Sequence, residues 1–480
     1  MKILYVSAEV VPFAKTGGLA DVAGALPKAI EKLGHDIKII MPKYGVIDEE
    51  KYKLTKLYAK IAVPVGDKIE TASIYEAKLP NSKIVVYFVD NKKYFSRRGL
   101  YQEDGVDYPD NCERFSFFCR AVCELIKELK WIPDVLHCND WQTALVIPYF
   151  KFKYDFNKTV TVYSIHNMGY LGLFPKDQIF LTGFGWKMFT YDKLEFWDQL
   201  SLAKAGLVFA DIITTVSPTY AKEIQTKQSG FGLHELLLSR SDRVFGILNG
   251  IDYDIWNPAT DPSIAKNFTI NTIENKYLNK SALQKKNGLQ IKKTVPLIGL
   301  ISRLTDQKGL DILTKALEEI MKLNCQLVIL GTGDKKYHKL LDEAWKKHPK
   351  QIGLNLGFDA ALAELIYAGS DMFIMPSRYE PCGLGQLISF KYGTVPIVRK
   401  TGGLADTVND YNSKMQKGDG FVFEEYTNEA LFDAVKRAVL TYNKKKEWAY
   451  LMKKIMLSDY SWDVSAKKYL EIYAKRESLK

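Results

Sequence analysis

Ser302-Arg303-Leu304-Thr305-Asp306-Gln307-Lys308-Gly309 sets two cations on a short stretch between an apolar run and an amphipathic one. A departing diphosphate needs such charge where side chains supply it; the plainer alternative is surface charge on a loop. Tyr379-Glu380-Pro381-Cys382-Gly383-Leu384 places a carboxylate at the end of another apolar run, then Pro and Gly at a helix start. Carboxylate oxygens accept from sugar hydroxyls, and helix amides bind phosphate. The alternative is a buried Glu satisfied by backbone. Cys382 has no His near it in sequence and reads as a packed thiol.

A third motif is written twice. Lys15-Thr16-Gly17-Gly18-Leu19-Ala20-Asp21 recurs as Lys400-Thr401-Gly402-Gly403-Leu404-Ala405-Asp406. Tandem Gly lets the backbone turn with positive φ and lets a ligand approach bare amides. A cation at the head of such a loop, with a helix behind it, makes an anion site. Two ligand-free strand-to-helix turns are the other reading. The repeat is far too short for a solenoid.

Other signals carry less. Gly331-x-Gly333-Asp334 is half of a dinucleotide fingerprint without its third Gly, and the Walker pattern is absent from both Gly-Gly loops. Asp252-Tyr253-Asp254 has the D-x-D spacing of metal-dependent transferases, but Arg303 and Lys308 already supply charge, so Asp252 is assigned to a turn. The six cysteines form no C-x-x-C pair; Cys119 and Cys123 share a helical face without a partner His and read as core thiols. No metal is expected.

These residues need elements to hold them. Apolar runs at Ile3–Val6, Ile37–Met41, Ile84–Val89, Asp134–Cys138, Val160–Ile165 and Ile212–Val216 read as buried strands. Amphipathic stretches such as Asp21–Leu33 and Arg114–Leu129 lie between them. The pattern weakens over the polar stretch Asn257–Asn287, with Ile251–Pro258 taken as the hinge. It resumes at Val295–Ile301, Gln326–Leu330, Gly353–Leu356, Met372–Met375 and Val395–Val398. Strand–helix alternation predicts parallel sheets covered by helices. The expected α/β architecture is two doubly wound domains, 1–250 and 251–457, each carrying one Gly-Gly turn. A helix within 458–480 follows, capped by Ser461 and packing through Trp462, Val464, Tyr469, Leu470 and Tyr473. In such sheets ligands bind at the carboxyl ends of strands. Those ends carry Asn139-Asp140, His166-Asn167, Asn249, Arg303 and Glu380, and one cleft between the domains is expected to gather them.

The chain is 47 % hydrophobic and 26 % charged, as soluble globular proteins are. Its formal charge of +11 favours an anionic partner. No run of five basic residues occurs, so nucleic acid is not expected. The first residues read as a strand rather than a signal peptide, and no run of 18 apolar residues spans a membrane. The expected compartment is cytoplasmic.

Assembled in order, KTGGLADV, VLHCNDWQTAL, SIHNMGYLG, FADIITTVSPTYAKEI, GILNGID, SRLTDQKGLD, PSRYEPCGLGQL and RKTGGLADTV make the chain resemble bacterial glycogen synthases and plant starch synthases end to end. The resemblance implies the GT-B fold, with the last helix crossing back to the first domain. It implies retaining transfer of glucose from ADP-glucose to the non-reducing 4-hydroxyl of an α-1,4-glucan, with no metal or other cofactor. Mapped onto matching positions, Lys15 contacts the donor's phosphate region and Gly18 approaches by its backbone. Arg303 and Lys308 stabilise the departing ADP. His166, Asn249, Asp140 and Glu380 surround the glucose. Cys382, Gly383 and Leu384 offer amides to sugar and phosphate, with Asp21 and Glu9 near the Lys15 loop. Two positions depart from the family pattern: Gly385 stands where Thr is common, and Phe358, expected beside adenine, stands where Tyr is common.

No second carboxylate emerges as a nucleophile, so the expected chemistry is same-face attack assisted by the donor's own phosphate oxygen. Another hexosyltransferase of this fold, or a glucan- or nucleotide-binding protein without turnover, are the competing readings. Oligomeric state is left open.

Overall fold

The computed structural model describes residues 1–475. The chain divides into two compact units. One is formed by Met1–Val216, Ala221–Ile247 and the chain from Trp462 onward, the other by Ser217–Tyr220 and Leu248–Ser461.

The first unit is built on Lys2–Val6 (β1), Asp36–Pro42 (β2), Thr55–Val65 (β3), Lys68–Lys78 (β4), Val85–Asp90 (β5), Val135–Asn139 (β6), Val160–Ile165 (β7), Ile212–Thr215 (β8) and Val244–Gly246 (β9). They form one sheet in the order β9-β8-β7-β6-β1-β2-β5-β4-β3. From β9 to β5 every pairing is parallel. These strands are apolar without alternation because both faces are covered; Ile3, Leu4, Tyr5 and Val6 are fully buried. Helices Gly18–Lys32 (α1) and Asn111–Leu129 (α2) belong to this unit.

The β3–β4 hairpin is antiparallel and was not legible in the sequence. In β3 only Ile61, Val63 and Val65 are buried, and the charged remainder faces solvent. A half-buried edge hairpin has no continuous apolar run to betray it.

The last helix, Trp462–Ala474, lies in the first unit and packs against α1. It buries Trp462, Ser465, Ala466, Tyr469, Ile472 and Tyr473. Val464, expected among its contacts, is 45 % exposed: the buried positions follow a helical face, and 464 lies off it. The anchor is polar. Tyr473 OH lies 2.6 Å from His137 Nδ1, whose Nε2 lies 2.6 Å from Ser164 Oγ. Burial holds His137 down at about 3, so it stays neutral.

The second unit carries Leu297–Ile301 (β10), Gln326–Gly331 (β11), Ile352–Leu356 (β12), Met372–Met375 (β13), Val395–Arg399 (β14) and Phe421–Phe423 (β15). Their order is β12-β11-β10-β13-β14-β15, parallel throughout. The short β15 was not anticipated. The polar stretch that blurred the sequence pattern contains Lys276–Lys286 (α3 here), which buries the heads of its lysines. Lys276 Nζ donates to the carbonyls of Tyr367, Ala368 and Tyr392 at 3.2, 2.9 and 2.9 Å and to Thr394 Oγ1 at 2.7 Å. Hydrogen bonds rather than apolar area fix that helix, so hydropathy does not reveal it. Among the described residues no helix is long and apolar enough to cross a membrane.

Tyr473→Phe removes one partner of a buried hydrogen bond and is expected to cost about 1–3 kcal/mol, measured by chemical denaturation. The folded-state value of His137 lies below its unfolded 6.5, so its contribution is full above that pH and lost as pH falls through about 3. His137→Asn is expected to weaken the pH dependence of unfolding within that window.

Candidate functional site

In the first unit the chain leaves β1, turns at the Lys15 loop and enters α1 at Gly18. Glu9, only 4 % exposed, organises that loop. Its carboxylate accepts from Thr16 N, from Gly17 N at 3.1 Å, from Thr16 Oγ1 at 2.6 Å and from Tyr101 OH at 2.8 Å. The sequence reading offered the loop's bare amides to a ligand; those of Thr16 and Gly17 are instead occupied by a carboxylate of the chain itself. Gly18 remains exposed. Lys15 Nζ is paired with Asp21 Oδ1 at 2.7 Å. Burial raises Asp21 while Lys15 pulls it down, so the ammonium is held ready rather than unopposed.

The ends of β6 and β7 position Asp140 and His166. Asp140 has φ 54° and ψ 179°, a region open essentially to glycine and costing a side-chain residue about 1–3 kcal/mol. Its Oδ1 accepts from His166 N at 2.8 Å, and burial lifts the carboxyl to about 7. Asn139 Nδ2 donates to Val6 O at 2.9 Å, which leaves Asn139 Oδ1 facing Tyr5 OH at 3.0 Å and His166 Nε2 at 2.9 Å. That oxygen only accepts, so Nε2 carries the proton and Nδ1 presents a lone pair. Burial brings His166 down to about 4. His166 is therefore a neutral acceptor for a ligand hydroxyl, not a general acid. Asn139, which sets this tautomer, was not singled out in the sequence because its role lies in a cross-strand contact.

The second unit gathers the other set. Lys308 sits one residue before Leu310–Met321 (α4), at a turn where Gly309 takes φ +73°. A Cβ at Gly309 would lie 1.9 Å from Pro376 O; only glycine lets this loop close on the end of β13. Lys308 Nζ then meets both oxygens of Glu380, at 2.9 and 2.6 Å, and Ser377 Oγ donates to Oε2 at 2.8 Å. Glu380 is 5 % exposed. Sequence reasoning counted Lys308 as free positive charge and missed Ser377; the ammonium is neutralised by Glu380. Arg303 Nη2 reaches Gln307 Oε1 at 3.3 Å. Beside it, Ser302 Oγ and Thr305 Oγ1 are buried without a hydrogen-bond partner, two hydroxyls that the charged residues had overshadowed. A Cβ at Gly331 would lie 2.0 Å from Ser302 O, and one at Gly333 2.5 Å from Leu304 O. The half-fingerprint is thus packing for the Arg303 loop.

Asn249 is 5 % exposed, and its Oδ1 is buried without a partner. Its backbone N–H faces the Cys382 thiol, which burial pushes up to about 12. Gly383 takes φ +72°, and half-buried Leu384 precedes Gly385–Lys391 (α5). A Cβ at Gly385 would lie 2.9 Å from the Phe373 ring and 3.3 Å from Met375 Sδ, so a threonine there would need those side chains to move. Phe358 follows β12 and is 90 % exposed, a ring with its face open. Asp252 Oδ1 accepts from Asp254 N at 2.9 Å, the turn expected of it. Among the described residues no group of three or more His, Cys, Asp or Glu is arranged to hold a metal ion.

The second copy of the repeated motif does different work from the first. Gly402, at φ +45°, would place a Cβ 1.9 Å from Glu380 O; one at Gly403 would lie 2.1 Å from Cys382 O. Gly403 N donates to Glu380 O at 3.1 Å. Lys400 pairs with exposed Glu424 at 2.7 Å, and Asp406 accepts from Thr219 N and Oγ1 at 2.8 and 2.7 Å. This copy is the bed on which the Glu380 turn lies.

Residues 2–239 match the family model described as starch synthase catalytic domain, and residues 282–454 that described as glycosyl transferases group 1. A glycogen synthase of Geotalea daltonii is 50 % identical over 98 % of both chains. One of Syntrophotalea carbinolica is 46 % identical over 100 % of this chain and 99 % of its own. The solved catalytic domain of starch synthase IV from Arabidopsis thaliana, bound to ADP and acarbose, superposes with TM-score 0.92 at 35 % identity, covering 99 % of each chain. A sucrose-phosphate synthase from Thermosynechococcus elongatus shares the fold at TM-score 0.61 and 15 % identity, over 100 % of each chain.

The two motif copies predict opposite tolerance. Gly17 has open space where a Cβ would go and an extended φ of −149°, so Gly17→Ala is expected to retain folding and most activity. Gly402→Ala drives a methyl into the Glu380 carbonyl and is expected to lose activity by more than about 100-fold. Parallel melting curves and turnover measurements on the two variants check this.

Proposed function

This chain belongs to the glycogen and starch synthase family of glycosyltransferases, and we propose that it elongates an α-1,4-glucan, moving glucose from ADP-glucose to the non-reducing 4-hydroxyl with retention. The observation that carries the sugar-binding half of this reading is Asn249 Oδ1, a buried acceptor with no donor. Such an atom costs about 1–3 kcal/mol unless a partner arrives, and a glucose hydroxyl is a fitting one.

Each remaining residue follows from its surroundings. Arg303 is the fixed cation for the diphosphate, with the hydroxyls of Ser302 and Thr305 beside it as further donors. Lys308 is shared: it neutralises Glu380 before the donor binds and turns toward the leaving phosphate as negative charge builds there. Glu380 accepts from the glucose, as does Nδ1 of neutral His166, whose turn Asp140 holds. Cys382, Gly383 and Leu384 contribute backbone amides, and Phe358 an aromatic face for the adenine. Lys15 exchanges Asp21 for the donor's phosphates, with Gly18 giving backbone access. We assign the leaving-group charge to these side chains rather than to a cofactor.

Retention without a side-chain nucleophile follows when the acceptor hydroxyl attacks from the face that ADP leaves, its proton passing to the departing phosphate oxygen. Trapping a glucosyl adduct on a side chain would overturn that mechanism. The proposed compartment is the cytoplasm, and the proposed partners are ADP-glucose and the glucan, with no nucleic acid or membrane.

Radiolabelled transfer into glycogen, with ADP-glucose and UDP-glucose compared, tests the donor; faster turnover with UDP-glucose would refute it. Lys15→Ala is expected to lower kcat by about 10²–10³-fold, as loss of one preorganised charge contact does, and Lys400→Ala by less than about twofold, since Lys400 pairs with an exposed Glu. Equal losses would restore equivalent roles to the two copies.

A further inference from the structure

A small three-stranded sheet follows the His166 turn in the first unit. Its strands are Leu173–Pro175, Glu195–Phe196 and Gln199–Ser201, with the last in the middle. Phe196 pairs with Gln199, so Trp197 and Asp198 alone make the hairpin turn. Both have positive φ, 52° and 60°. A turn of this kind is normally written with Asn and Gly. Here the first position is a tryptophan, and it is 80 % exposed. Facing it is a second turn of the same character, Phe231-Gly232, with φ of 47° and 85°. A Cβ on Gly232 would lie 2.8 Å from the Phe196 ring and 3.4 Å from Trp197 Nε1, so the two turns are in close contact. Phe231 is 39 % exposed and Tyr191, on the preceding loop, 79 %. Bulky side chains strongly disfavour this backbone region, and neither Trp197 nor Phe231 recovers the strain through burial.

The hairpin is nonetheless firmly held. Lys204, 4 % exposed, donates its ammonium to the carbonyls of Tyr191 and Glu195, the latter at 2.6 Å. Lys176 grips both oxygens of Asp198 at 2.9 and 2.8 Å, and Asp198 N donates to Glu195 Oε1 at 2.8 Å. Strain that is fixed in place and spent on exposing an indole points to a ligand. The ring has an apolar face with polar neighbours around it, which suits the C–H face of a sugar flanked by hydroxyls.

We propose that Trp197, with Phe231 and Tyr191 beside it, is a docking platform for α-glucan, separate from the residues that perform transfer. Continuity with the acceptor side favours this occupant over a protein partner. The middle strand ends in Leu202, whose N–H donates to Gly172 O at 3.0 Å, and Ser201 Oγ donates to Leu171 O at 3.1 Å. Leu171 and Gly172 lie a few residues beyond His166, with Tyr170, 51 % exposed, between them. Trp141, adjoining Asp140, packs on Phe174 at 5.7 Å between ring centroids. One connected surface thus runs from the Asp140–His166 turn to the hairpin tip. A glucan many sugars long, with its end at His166, extends past that turn and meets this platform. This inference rests on the proposed acceptor being a glucan.

Trp197→Asn suits the left-handed turn and removes the ring. It is expected to melt at or above the parent temperature, to lose retardation in native gels containing glycogen, and to raise KM for glycogen by about tenfold. KM for ADP-glucose and turnover on maltotriose are expected to stay unchanged, and Trp197→Tyr to restore most of the binding. Undiminished retardation of Trp197→Asn, or a parent protein that glycogen does not retard, overturns the platform. A retarded parent that transfers no glucose from any nucleotide sugar refutes the proposed transfer while leaving the platform supported if Trp197→Asn abolishes retardation.

Discussion

A carboxylate withdrawn from water must be given donors or a counter-charge, and each unit of this chain arranges its ligand-facing loops around one. In the first unit it is Glu9, which collects two loop amides, a threonine hydroxyl and a tyrosine. In the second it is Glu380, held by Lys308 and Ser377. Removing either would leave donors or a cation facing nothing, so the loops and the carboxylates specify each other. Replacing one member of such a buried pair costs about 3–5 kcal/mol, a large share of ordinary protein stability.

This constraint explains how one heptapeptide came to serve two purposes. In both copies the Gly-Gly pair lets a strand turn sharply into a helix. Around the first copy there is room, the amides take Glu9, and Lys15 is left at the surface against Asp21. Around the second copy the Glu380–Cys382 backbone fills the room, and the glycines become the only residues that fit. The same letters give an exposed cationic loop in one setting and a packing surface in the other.

The electrostatics follow a similar division. His166 and His137 are both kept neutral by burial, yet one faces a hydroxyl chain in the core and the other offers a lone pair at a strand end. Asp140, strained and lifted to about 7, shapes the His166 turn through a backbone hydrogen bond. Strain is thus concentrated at Asp140 and at Trp197, both at turns on one connected surface of the first unit.

The sequence by itself determined the two parallel sheets, most of their strands, the placing of polar residues at strand ends and the family. Those properties are local: a strand buried on both faces must be a short apolar run, and a tight turn must contain glycine. It did not disclose the β3–β4 hairpin, whose edge strands are half solvated, nor the helix from Lys276, whose contacts are hydrogen bonds from buried ammonium groups. At the site it named Lys15, Asp140, His166, Arg303, Lys308 and Glu380, but not their pairings. Tertiary structure alone decided that Lys308 is neutralised by Glu380, that Glu9 fills the first loop, that Asn139 sets the proton on His166, and that Gly402 and Gly403 serve the Glu380 turn. Each of these depends on atoms far apart in the chain meeting within about 3 Å, and no spacing along a sequence encodes that distance.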